Sequence, residues 1–119
     1  MDIESLREYC LHKKEVSEEF PFGDSTLVFK VRGKIFLLTG LNQSPLQFNV
    51  KGDPEQSIEL REQYTEVQPG YHMSKVHWNT VFMGGSLTRK QLLELIDHSY
   101  DLVLKSLPKK LQAEIAANQ

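Results

Sequence analysis

Between Tyr71 and Trp78 the chain holds a tyrosine, two of its four histidines, a lysine and its only tryptophan, in the string Pro69-Gly70-Tyr71-His72-Met73-Ser74-Lys75-Val76-His77-Trp78-Asn79. Each imidazole or indole N–H must find an acceptor when buried or cost free energy, so this density of polar ring edges suits a contact surface better than a core strand. Ring faces of this kind stack on bases or lean on sugars, and an ammonium such as that of Lys75 neutralises a phosphate. A second basic group, Lys30, Arg32 and Lys34, brackets a turn. Together these residues point to nucleic-acid contact, with Lys30, Arg32, Lys34 and Lys75 gripping phosphates and the rings of Tyr71, His72, His77 and Trp78 close to Lys75. A plainer account makes the turn lysines a solubility device and Trp78 a core residue, and the sequence leaves both open.

Other chemistries find less support. His72 and His77 are five residues apart, which puts them on opposite faces of a strand and poorly aligned on a helix, so no metal site is expected. The single cysteine, Cys10, excludes an internal disulfide, and its place on an apolar helical face favours a buried thiol over a nucleophile. Ser74 and Ser86 lie in no nucleophile-elbow pattern. Gly84-Gly85-Ser86 precedes a helix and could cradle an anion there, although a turn that ends a strand explains it as well. Glu59, Arg61 and Glu62 read as a solvated helix face. Neither an enzymatic activity nor a cofactor is expected.

Composition bounds the partners. The chain has 119 residues, 39% apolar and 25% charged, which fits one soluble domain spanning 1–119. Its net charge of −2 gives no general basic excess, so nucleic acid would have to be held by a local patch. The longest apolar run, Ile35 to Leu38, is far too short for a membrane span. The N-terminal MDIESLREYC has neither the basic nor the apolar region of a secretory leader, so a cytoplasmic protein is expected.

The elements that must position these residues follow from local patterning. Asp2 caps a first helix with Ile3, Leu6 and Cys10 at helical spacing, and His12 ends it in solvent. Val16 to Glu19 reads as a polar connector. Leu27 to Val31 and Ile35 to Thr39 form a hairpin whose tight turn lets Gly33 take positive φ. Leu46 to Lys51 alternates Leu46, Phe48 and Val50 against Gln47, Asn49 and Lys51, giving one buried and one wet face. Asp53, Pro54 and Gln56 open a second helix in which Leu60, Tyr64 and Val67 share a face, ending by Pro69-Gly70. Trp78 to Met83 is a strand with either face able to meet the core. A capping box, Thr88 to Gln91, opens a long helix with Leu92, Leu95, Ile96, Ser99, Leu102 and Val103 on its apolar face. Pro108 stops it, and Leu111 and Ile115 mark a short last helix. The expected order is α-β-β-β-α-β-(β)-α-α, a two-layer α+β domain with helices packed on an antiparallel sheet.

Four segments, Phe20 to Phe36, Lys51 to Tyr64, Val67 to Val81 and Leu95 to Lys110, resemble the MmcQ/YjbR family of small bacterial proteins over nearly the whole chain. The PGYHM-x-K-x-HWN string is the most specific part. The resemblance implies a fold similar to CyaY and to type III secretion chaperones, and a DNA-binding role through a double wing. In this chain the motif positions are Tyr71, His72, Lys75, His77, Trp78 and Asn79, with Lys30, Arg32 and Lys34 as a wing, and the resemblance implies that Tyr71, His72, Trp78 and Asn79 position or read the grooves. The leading expectation is a non-enzymatic protein that binds double-stranded DNA, as a monomer or weak dimer and without a membrane anchor. The alternative is a protein-interaction module in which the aromatic stretch grips a peptide. A small-molecule pocket lined by Tyr71, His72, His77 and Trp78 ranks third.

Overall fold

Period-two patterning builds the centre of the molecule, and one inserted residue shapes it. The computed structural model describes residues 1–70 and 73–117. Along the chain run α1 (Ile3–Leu11), β1 (Val16–Glu19), β2 (Thr26–Val31), β3 (Lys34–Gly40), β4 (Gln47–Lys51), α2 (Pro54–Gln63), β5 (Val67–Pro69), β6 (Trp78–Phe82), α3 (Arg89–Lys105) and α4 (Lys109–Ala117). The six strands form one sheet in the order β1-β2-β3-β4-β6-β5, and every described pair is antiparallel. This is the expected α+β class.

The β2–β3 hairpin turns on Arg32 and Gly33, both at positive φ (48° and 86°), the pairing that a two-residue turn needs to match strand twist. Further along, Phe29 pairs with Leu37 but Lys30 with Ile35, so Phe36 is an extra residue on β3. The bulge sends both Phe36 and Leu37 into the core, where Phe36 meets Tyr100 of α3 edge-on at 5.4 Å. It also interrupts the β3–β4 ladder beyond the Leu37–Val50 pair. The Ser99 hydroxyl fills that gap, donating to the Phe36 carbonyl at 2.6 Å and accepting from the Lys51 N–H at 2.8 Å. Ser99 is thus a hydrogen-bonding plug within the apolar face of α3, completing a ladder that the strands leave open.

One cluster takes the inward side chains of the sheet: Leu27, Phe29 and Val31, Phe36 and Leu37, Phe48 and Val50, Val67, and Val81 with Met83. The face of β6 left undecided by its pattern is thereby settled, with Val81 and Met83 inward. Leu6 and Cys10 of α1, Ile96 and Val103 of α3, and Ile115 of α4 join the same cluster, and Leu60 of α2 packs against it. Burial pushes the Cys10 thiol up to about 12, so it is inert as a nucleophile. Because each described helix sends its buried side chains to this side, none of them packs on the second face of the sheet. Across its middle, the register aligns Glu19, Val28, Leu38, Asn49, Thr80 and Gln68.

Two expectations fail. Val16–Glu19 is a strand and not a connector, since its ladder with Val28–Val31 outweighs the poor β propensity of Ser and Glu. The second helix stops at Gln63, and Val67 belongs to β5, paired with Val81. Spacing alone could not separate these, because Val67 fits both a helical face and an isolated strand position.

Replacing Ser99 by Ala should cost about 1–3 kcal/mol for each backbone group left without a partner. Denaturant titration measures it; a loss below about 0.5 kcal/mol would mean that the β3–β4 gap closes without the hydroxyl.

Candidate nucleic-acid interface

The ring-rich segment is held from below by a helix. Asp53 caps α2 by accepting from the Gln56 N–H at 3.1 Å, and Pro54 takes a first-turn position where its missing N–H costs nothing. Ser57 and Arg61 follow one turn apart on a shared face. Both converge on Asn79 of β6, which is only 2% exposed. Arg61 Nε donates to Asn79 Oδ1 at 2.8 Å, and Asn79 Nδ2 donates to Ser57 Oγ at 2.9 Å. The guanidinium also donates to the Lys75 carbonyl at 2.7 Å and the Trp78 carbonyl at 3.1 Å. Arg61, expected as solvated helix surface, is therefore the brace of the site. Its only sequence signal is its position four residues after Ser57, which identifies a partner only once Asn79 is known to face inward.

Two glycines make room for this packing. A Cβ on Gly52 would lie 2.8 Å from both Asn79 Nδ2 and Ser57 Oγ, and one on Gly70 would lie 2.8 Å from Trp78 Cβ. Their backbones tie down both sides of the loop, with the Gly52 N–H donating to the His77 carbonyl at 2.9 Å and the Gly70 N–H to the Trp78 carbonyl at 2.7 Å. The Ser74 carbonyl accepts from the His77 and Trp78 N–H groups, which closes a turn.

On this frame Lys75, Val76 and His77 are exposed, Val76 at 58%, and Trp78 is half-buried. Asn79 is not available for the groove contact expected of it, because both ends of its amide are used inside. Tyr71 and His72 lie outside the described residues.

The basic wing is largely neutralised. Lys30 pairs with Glu19 at 2.5 Å, and Arg32 is held by Glu114 at 3.3 Å and Glu15 at 3.7 Å. The acidic strand β1, missed in the sequence, supplies Glu19, and this is why the cluster is less basic than its letters suggest. Lys34 is exposed, with no carboxylate within 4.0 Å among the described residues. Register places the β2–β3 turn at the same end of the sheet as Lys51, whose partner is Trp78. Lys34, Lys51, Lys75, His77 and Trp78 therefore share one end. Lys51 was visible only as a wet-face residue until pairing set it opposite Trp78.

The Gly84-Gly85-Ser86 turn binds an anion supplied by the chain itself. Glu66 Oε2 accepts from the Ser86 N–H and, at 2.8 Å, from the Ser86 hydroxyl. The Ser86 backbone N–H, and then its hydroxyl, hold the Glu66 carboxyl below the usual range. Gly85 leaves the carboxylate its space, since a Cβ there would collide with it. No cluster of three or more His, Cys, Asp or Glu gathers among the described residues. Two clefts, one around Tyr64 and His98 and one around Tyr100 and Ile115, are lined by neither His77 nor Trp78.

Arg61→Met should cost about 1–3 kcal/mol by leaving the buried Asn79 oxygen unpaired, and should speed amide exchange of residues 77 and 78. Arg61→Lys should not restore either, because a point charge cannot reproduce the fork; unchanged exchange in Arg61→Met would refute the brace. Because the folded Glu66 pKa is depressed, its contribution is present above the ordinary glutamate value of about 4.3 and is lost as pH falls through the folded value. Melting curves of the wild type and Glu66→Gln should differ at pH 7 and converge on acidification; a gap independent of pH would contradict this.

Comparisons with known proteins agree on one relationship. The YjbR family model matches residues 11–102. An Escherichia coli O157:H7 protein named "Uncharacterized protein YbdF" is 36% identical over 119 residues, covering 97% of this chain and 98% of its own. "Uncharacterized protein YjbR" of Escherichia coli K12 is 30% identical, covering 92% and 93%. Among solved structures, Deinococcus radiodurans protein DR2400, with its DUF419 domain, superposes with a TM-score of 0.90 at 38% identity, covering 96% of this chain and 87% of its own. A Pseudomonas syringae protein does so at 0.74 and 26% identity, covering 87% and 99%. On the extent of these matches, the chain belongs to the YjbR family.

Proposed function

We propose that this chain is a non-catalytic nucleic-acid-binding domain that uses the end of the sheet where Lys34, Lys51 and Lys75 meet His77 and Trp78. The observation that carries this reading is the Arg61 brace. It directs a guanidinium to the carbonyls of Lys75 and Trp78, and so anchors the backbone of the turn that carries the exposed Lys75 and His77. Lys34, Lys51 and Lys75 have no carboxylate within 4.0 Å among the described residues, so each ammonium is available to a phosphate. With Asn79 buried and Arg32 tied to Glu15 and Glu114, few groups are left to read base edges in a groove, and binding of low sequence selectivity is expected.

A protein partner is the second reading, favoured by the exposed Val76 at the crest of the loop. The two readings separate on ionic strength. Three phosphate contacts give log K against log salt a slope of roughly −2 to −3. An apolar anchor gives almost none. Fluorescence anisotropy with labelled oligonucleotides at two salt concentrations should show the steep dependence, and Lys75→Gln should flatten the slope by about 1. Absence of binding at low salt would remove the nucleic-acid reading.

A further inference from the structure

We infer that the ligand is a single strand of nucleic acid lying across the helix-free face of the sheet, with bases stacked on Trp78 and Phe82. This rests on the nucleic-acid reading above and extends it to the strandedness of the ligand and to a second aromatic contact. Trp78 and Phe82 are four residues apart on β6, so they rise from the same face about 13 Å from each other. The register sets Lys51 beside Trp78, Asn49 beside Thr80 and Gln47 beside Phe82, so the two half-buried rings flank the half-buried Lys51, Asn49 and Gln47, with Thr80 buried between them at 3% exposure. Thr80 donates to Asn49 Oδ1 at 2.5 Å, which fixes the Asn49 amide with its nitrogen as the donor end.

Charge on this layer suits a polyanion although the chain as a whole is net negative. The six strands contain two carboxylates, Glu18 and Glu19. Glu18 turns to Arg7 of α1 at 2.6 Å, on the helical side, and Glu19 is neutralised by Lys30. The other acidic residues sit in helices and loops. Lys51 on the face, with Lys34 and Lys75 at its end, has no carboxylate within 4.0 Å among the described residues.

Geometry selects the single strand. Rings on a broad sheet stack only on bases whose faces are uncovered, and in a duplex those faces are occupied by neighbouring base pairs. Six adjacent strands are also too wide for a groove that admits a helix or a two-stranded ribbon. Cations beside Trp78 at one end of the sheet, with Phe82 at the far end of the same strand, set phosphate contacts next to two rings on which unpaired bases can stack.

Trp78 is the only tryptophan, so intrinsic fluorescence reports on this face directly. The full chain is titrated at low salt with an oligothymidylate of about twelve nucleotides and with a duplex of equal length. Quenching of Trp78 by the single strand, at an affinity at least tenfold above that of the duplex, is the expected result. Phe82→Leu and Trp78→Leu should each weaken single-strand binding by roughly 5- to 150-fold, while Trp78→Phe keeps most of it. Lys51→Gln, which disturbs no core packing, should weaken it too and lessen its salt dependence. Equal or tighter duplex binding, or single-strand binding without a change in Trp78 emission, would overturn the inference and leave the nucleic-acid reading standing. Binding of neither would remove both.

Discussion

The hydrogen bonds that Arg61 makes to Asn79 and to two loop carbonyls are the contact on which the rest of the site depends. A guanidinium has five donors in a rigid plane, so one side chain can fix three acceptors that belong to a strand, its first residue and the loop before it. Once Asn79 is pinned inward, strand alternation forces Trp78 and Thr80 outward. The same constraint explains glycine at positions 52 and 70, where the brace and the tryptophan leave no volume for a side chain.

A second constraint works at the other side of the site. The bulge at Phe36 loads both Phe36 and Leu37 onto the core face, and the Ser99 hydroxyl repairs the ladder it breaks. Beyond that repair Lys51 stays in register with Trp78. The described helices all pack on one face, and the few carboxylates of the strands are paired. Acidic residues populate the helices and connections, whereas the strands hold two carboxylates, each matched by a cation. Despite the small net charge, Lys34, Lys51 and Lys75 at one end have no carboxylate within 4.0 Å among the described residues.

Much of this was legible in the sequence, and the failures have physical causes. Helix starts were readable because caps are local chemistry: Asp2, Asp53 and Thr88 each accept from a backbone N–H three residues on. The hairpin and the wet face of Gln47, Asn49 and Lys51 followed from period-two alternation. The strand at Val16–Glu19 did not, since only its partner makes it a strand. For the site, the exposed Lys75 and His77 lie where the motif suggested. Asn79 and Arg61 both turned out to be internal, Asn79 buried and Arg61 bracing it, because a polar residue in a strand and an arginine on a helix reveal burial only through tertiary pairing. The wing looked basic because the carboxylates that neutralise it, Glu15, Glu19 and Glu114, are distant in sequence or were assigned to a connector.

The helix-free face is the claim that joins these constraints to function. An amide correlation spectrum recorded while an unlabelled single-stranded oligonucleotide is added tests it most directly, since each backbone position reports separately. The account predicts that shifts concentrate at Gln47, Asn49, Lys51, Thr80 and Phe82 and at the exposed turn from Lys75 to Trp78, with α3 and α4 silent. Shifts confined to the helical layer, or to the Arg32 turn alone, would contradict it.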